Sequence, residues 1–303
     1  MADGSRSIRH RSRSSQTGRA AALGGVAVAV VALAAIAWGF SAALGGGDGD
    51  DAAPTAAPTT VPQKPVLKIV FPEGFTRDEM AKRIVAVNKI AKDKRKITSK
   101  LSPLTYLRAT RRGPVPENFS DEKRPHLEGF LFPATYEFTE DTTSRSLVRK
   151  QLDAFARAWE QVDLKYAKSK NLSAYEVLII ASMVEEEVLV PRERELVAAV
   201  IYNRLRVGLP LGIDATIRYG LDIPPTEPIH QSELESDTPY NTRKFQGLPP
   251  TPISNPGLAS IQAAAHPAMT DYLYFIRKPD CKSHFFTASE DEFFNFPRGG
   301  LTC

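Results

Sequence analysis

The 303-residue sequence has no ionisable side chain between Ala20 and Gly47. That absence excludes an ordinary soluble surface over this stretch. As a helix, its centre GGVAVAVVALAAIAWGFSAAL is long enough to cross the ~30 Å hydrocarbon layer. Metal-site spacing is lacking too. His126, His230, His266 and His284 are widely scattered, no HExxH occurs, and each reads as a hydrogen-bonded structural residue rather than a ligand. There is no P-loop, no nucleotide-binding glycine fingerprint and no G-x-S-x-G elbow. With these chemistries set aside and no cofactor implied, carboxylate chemistry remains.

Charge is concentrated at the start of the chain. Arg6, Arg9, Arg11, Arg13 and Arg19 precede the uncharged stretch with only Asp3 opposing them, and Asp48, Asp50 and Asp51 follow it. This asymmetry places the N-terminus in the cytoplasm and everything from Gly45 onward outside. The arginines are thereby explained by topology, and no nucleic-acid partner is implied. A cleaved signal peptide competes with a retained anchor, since small residues surround Ser41 to Ala43, but the apolar region exceeds a usual signal-peptide core. The expected organisation is a basic tail (1–19), a transmembrane helix (20–44) and a flexible Gly/Pro/Ala/Thr linker (45–65) ahead of the folded part. Only two cysteines are present, Cys281 and Cys303, both on the outer side. In an oxidising compartment such a pair reads as a disulfide rather than a catalytic thiol. It would close a loop of about 23 residues and contribute ~3 kcal/mol in the chain-entropy model.

Folded structure is expected from Val66. VLKIVF alternates as a strand, Thr76 with Glu79 forms a capping-box signature opening a helix, and Ser102-Pro103 starts a second, shorter one. TYEF (135–138) closes a small βααβ unit (66–140), too small to bury much by itself. Glu128, Phe130, Phe132, Tyr136 and Phe138 make an aromatic cluster around an acid, which fits a core or a sugar-binding wall. Residues 143–170 read as one amphipathic helix. Ser173 with Glu176 repeats the capping box and opens the most apolar helix of the folded part, which Pro191 ends or kinks; the next runs from about Arg194 to Gly208. From 209 to 257 the chain is rich in Pro, Gly and short β-prone pieces. A last helix from Leu258 and the strand YLYFIR follow. Segregated helices and strands indicate an α+β fold, with a mixed α+β domain over 141–303 built on the central helix.

That central helix ends in Glu185, Glu186 and Glu187. Carboxylates beside buried apolar surface are candidates for a raised pKa, which a general acid needs near neutral pH. At about 100° per residue, Glu185 and Glu187 point roughly 200° apart and cannot both flank one scissile bond. Either of the two fits the desolvated role, and one carboxylate per site fits either a single-acid mechanism or a second carboxylate from elsewhere, such as Asp214.

The blocks ASMVEEE, YNRLRVGLPLGIDATIRYG, YNTRKFQGLPPTPISNPG and AAAHPAMTDYLYFI, with LEGFLFPATYEF upstream, resemble the MltG (YceG-like) family of endolytic murein transglycosylases in order and spacing. The resemblance implies that Glu187 is the essential acid and Glu185 a supporting residue. It also implies that Asn203, Arg204, Asp214, Thr216, Tyr219, Tyr240, Asn241 and His266 fall on blocks that shape a substrate cleft. The 66–140 unit resembles one LysM-like module. The implied substrate is the glycan strand of peptidoglycan, cut at the β-1,4 bond between N-acetylmuramic acid and N-acetylglucosamine to leave 1,6-anhydro ends. Peptidoglycan synthases or division proteins are the implied class of protein partner. The competing expectation is a catalytically degenerate, membrane-anchored scaffold that binds peptidoglycan. Two departures from the family pattern stand out: Gly212 where a Gln is usual, with Ala215 at a proline position, and a single LysM-like unit where relatives often have more.

Overall fold

The computed structural model describes residues 64–297, apart from Asp121 and Lys123. The expected basic tail, transmembrane helix and most of the linker, together with Cys303, lie outside the described residues. Within the described residues no helix is long and apolar enough to cross a membrane.

The chain opens with β1 (Leu67–Val70), α1 (Arg77–Arg95), α2 (Pro103–Ala109) and β2 (Thr135–Phe138). The strands pair antiparallel, Ile69 opposite Tyr136 and Leu67 opposite Phe138. The Thr76 hydroxyl accepts the Glu79 N–H at 3.2 Å, and the Glu79 carboxylate accepts the Thr76 N–H at 2.8 Å, so both halves of the capping box form. α1 stops where Lys96 turns left-handed, at φ 57°.

Next come α3 (Ser144–Trp159), α4 (Lys165–Ser169), α5 (Ala174–Glu187), α6 (Arg194–Val207), α7 (Asp214–Gly220), α8 (Gln231–Leu234) and α9 (Leu258–Ala265). The antiparallel pair β3 (Tyr274–Arg277) and β4 (His284–Thr287) and the short α10 (Glu290–Asn295) follow. This is a mixed α+β fold. Two expectations need correction. The stretch 143–170 is two helices, because the chain turns after Trp159 and restarts where Asp163 Oδ1 accepts the Lys165 N–H at 2.9 Å. The β-prone piece around 213–220 is helical: the Thr216 hydroxyl bonds back to the Ile213 carbonyl at 2.6 Å, and the Thr242 hydroxyl takes up the Ile213 N–H at 3.0 Å.

One core runs through all of this. Ile69, Met80, Ile84 and Tyr106 of the first segment join Phe130, Leu147, Phe155, Val177, Leu178 and Ile180 in a single cluster. Every residue of α5 from Ala174 to Val184 is buried or nearly so, Glu176 excepted, because this helix is apolar on all faces and is enclosed by α6 and α9. The aromatic cluster resolves as core. Phe130 and Phe119 meet edge-on at 5.0 Å, Phe155 and Trp159 complete the group, and Phe130, Tyr136 and Phe138 are all buried.

Candidate active site

α5 starts at a reciprocal Ser173–Glu176 cap and ends at Val188, whose backbone is extended. All three glutamates therefore sit on its last turn, at the rim of the core, and each meets different surroundings. Glu187 is packed about by protein yet keeps part of its surface in water. Burial pushes its carboxyl up to about 7; Arg277 opposes the shift, Asp214 reinforces it and Arg243 opposes it. Asp214, at the first position of α7, is itself ion-paired with Arg243 at 2.5 Å. An acid held near neutrality beside a carboxylate–guanidinium pair has the composition of a proton-transfer site.

Glu185 points to another part of the molecule, as the helical spacing requires. Its carboxylate accepts the Gly257 N–H at 3.1 Å and lies near Glu73, whose carboxyl is raised by burial and then by Glu185 itself, with Arg194 opposing. A Cβ at Gly257 would fall 1.9 Å from a Glu73 oxygen, so a side chain there would push the Glu73 carboxylate aside. Glu186 is also pushed up to about 7 by burial, with Ser254 opposing, but its side chain is exposed and water screens it. Glu187 is favoured over it because only Glu187 faces the Asp214–Arg243 pair.

The other residues singled out from the sequence separate into two groups. Asp214 belongs with Glu187. Most of the rest build the loops that carry it. Asn241 is fully buried and its amide is used up: it donates to the Leu234 and Ser236 carbonyls at 2.9 and 2.8 Å and accepts the Arg243 and Lys244 N–H groups. Thr216 is equally buried and bonds to Thr242. Arg204 donates to the carbonyls of Pro210, Leu211 and Leu273 and stacks over Tyr274 at 5.1 Å. Asn203 donates to the Thr270 and Tyr272 carbonyls. Together Asn203 and Arg204 tie the β3–β4 hairpin to α6, which brings Arg277 towards Glu187. The buried His284–Glu193 contact at 2.8 Å fixes the far side of that hairpin.

Tyr240 bonds to Thr251 at 2.8 Å and packs on Tyr219 at 5.2 Å. His266 is apart from these: it caps α9 and opens on a recess with Gln161, Asp163, Pro191 and Arg192. A separate cavity of about 1010 Å³ between α5 and α6, lined by Tyr166, Tyr175 and Tyr202, includes neither Glu187 nor Asp214. Gly212 has a left-handed backbone (φ 66°), and a Cβ there would come 3.2 Å from Arg204, so this loop is built for glycine. Cys281 lies between β3 and β4; its expected partner Cys303 is outside the described residues. No group of His, Cys, Asp and Glu among the described residues is arranged to hold a metal ion.

Sequence reasoning passed over several groups. Arg243 lies in a block noted for other residues, and Arg277 in a strand noted only as a strand. Glu128 was seen only as an acid among aromatics. It is buried and accepts the Asn255 amide at 2.6 Å, the Arg77 N–H at 3.0 Å and the Tyr219 hydroxyl at 3.2 Å. Burial pushes its carboxyl up to about 8 against the pull of Arg77 and these donors. Asn255 also donates to the Phe75 carbonyl at 2.8 Å and accepts the Leu131 N–H at 2.9 Å.

The profile of the YceG-like family matches residues 52–296. A Bacillus subtilis protein named endolytic murein transglycosylase is 34% identical over 218 residues, covering 70% of this chain and 59% of its own length. A Streptococcus pneumoniae protein of the same name is 35% identical over 235 residues, covering 72% of this chain and 42% of its own. The chain thus spans about half the length of these curated relatives. Among solved structures, a yceG-like protein from Listeria monocytogenes superposes with a TM-score of 0.61 at 31% identity, covering 74% of each chain. With the family profile spanning most of the sequence and a solved relative of the same fold, this chain belongs to the YceG-like family.

Proposed function

We propose that this protein is a peptidoglycan lytic transglycosylase that cuts glycan strands internally between N-acetylmuramic acid and N-acetylglucosamine. The observation that carries the reading is Glu187, a carboxyl held near neutral pKa at the end of a buried helix, facing an Asp214–Arg243 pair. Supporting it, the relatives in B. subtilis and S. pneumoniae bear the name endolytic murein transglycosylase.

In the first step protonated Glu187 gives its proton to the glycosidic oxygen, and the bond from that oxygen to the muramic anomeric carbon breaks. The carbonyl oxygen of the substrate's own 2-acetamido group closes on the anomeric carbon and holds the positive charge, so a second enzyme nucleophile is not required. Glu187, now a carboxylate, takes the proton of the muramic 6-hydroxyl. Oxygen 6 then attacks the anomeric carbon, the acetamido bond opens, and a 1,6-anhydro end results without consumption of water. Asp214 carries the charge that favours a developing cation, and Arg243 holds it in place. The segment 20–44 anchors the chain in the membrane with the folded part outside. The 66–140 segment serves as a LysM-like support, and Cys281 pairs with Cys303.

The test is product mass from glycan strands incubated with the full-length protein. Anhydromuramic ends from the wild type, and none from Glu187→Gln, are expected. Reducing muramic ends would mean a hydrolase. Binding to cell-wall sacculi without any product would mean a scaffold.

A further inference from the structure

We infer that the arginine-rimmed recess between α2 and α3 is a docking site for the phosphate headgroups of an anionic membrane surface. The recess has a volume of about 690 Å³, and Arg108, Arg111, Arg112, Arg145 and Arg149 stand around it. Its floor is apolar, made by Val148 and Leu152, both buried, and by Ala109. Arg108, Arg111, Arg112 and Arg145 form no side-chain hydrogen bond or ion pair among the described residues, and Arg149 meets only Asp153, at 3.6 Å. An adjoining recess shares Arg111 and Arg112 and adds Arg124, with Glu122 as its acid. Among the described residues no acidic one lines this recess, so its five arginines concentrate positive charge at one place.

Stability alone does not explain the cluster. Arg145 lies in the first turn of α3, where the helix dipole disfavours a cation. Crowded, unpaired arginines also repel one another. Bound phosphates would relieve both. The place where the chain reaches the folded part favours a bilayer over a soluble anion. Lys64, the first described residue, bonds to Asp141, four residues before Arg145 and on the turn that leads into α3. The linker ahead of it is about twenty residues long and reaches at most about 70 Å. With residues 20–44 read as the anchor, a linker of that length keeps the recess within reach of lipid phosphates. Each arginine near such a surface strengthens attachment roughly fivefold at physiological salt. The proposal rests on the anchor reading but not on the catalytic one.

The experiment uses full-length protein in lipid nanodiscs, either purely zwitterionic or containing phosphatidylglycerol, with amide hydrogen exchange read over residues 107–116. At least tenfold slower exchange is expected in the anionic discs only. It should disappear in R111Q/R112Q/R145Q and at high salt, while exchange in zwitterionic discs stays that of the wild type. Equal exchange in the two lipids would overturn the proposal. Equal protection by soluble polyphosphate in zwitterionic discs would overturn it in favour of a soluble phosphate polymer. Loss of the chain from the discs would overturn the anchoring, and the docking with it. Retention without protection would overturn the docking alone.

Discussion

Among the carboxyls that hold their protons to higher pH in the folded protein than in the unfolded chain, Glu187 and Glu128 are the most enclosed. From an ordinary value of 4.5 they are pushed up to about 7 and about 8, burial being the main cause in each. Between the unfolded and folded values the native state binds more protons, so stability falls as pH rises through that window and levels off above it. For Glu187 the loss is about 2 kcal/mol after allowing for the water it still touches. Urea titrations at pH 5 and pH 8 should show it, and Glu187→Gln should remove its share of the slope. Catalysis has the same sign: a general acid must be protonated, so turnover should decline as pH climbs past about 7. A flat rate from pH 5 to 9 would point away from Glu187. Glu128→Ala strands the Asn255 amide, the Arg77 N–H and the Tyr219 hydroxyl in the core and should cost about 3 kcal/mol, read by urea midpoint. The triple glutamate run showed where to look. Which glutamate faces the pair at Asp214 was not legible from helical spacing, because spacing fixes relative directions and not what lies opposite.

At the scale of elements, local signals read well wherever the chain talks to itself over three or four residues. Thr76 with Glu79 and Ser173 with Glu176 close their caps, and Gly208 ends α6 in a left-handed turn. Reading failed where a distant partner decides. The piece that forms α7 read as β-prone, yet Thr242, 29 residues away, takes up the Ile213 N–H and sets the turn that starts the helix. The β3–β4 hairpin likewise depends on Arg204 reaching three carbonyls at once. Arg204→Lys keeps the charge but loses the planar fork and the stacking on Tyr274. It should destabilise by about 2 kcal/mol in thermal melts. It should also loosen Arg277, visible as faster exchange at the β3 amides.

For the described molecule the sequence suggested two folded parts, 66–140 and 141–303, and the structure shows one core running through both. Asn255 makes the reason concrete: one side chain binds Phe75, 180 residues earlier, and Leu131 and Glu128 as well. No local pattern announces a contact of that span. A chain lacking residues 64–134 would expose the faces of Leu147, Phe155 and Leu178 and leave Asn255 without these partners. It is expected to lack a cooperative calorimetric transition, whereas a merely appended module would leave the remainder folded.

The last turn of α5 has one more implication. Its start is set by the Ser173 cap and its apolar body by the residues up to Val184, so side-chain directions beyond that point depend only on residue count. Inserting one alanine after Val184 would move Glu186 into the direction now held by Glu187, and the cleft would still see a carboxyl. Deleting Glu185 would bring Val188 there instead. The glutamate run thus acts as a one-way buffer against slips of reading along the helix, tolerant of an extra residue and intolerant of a missing one.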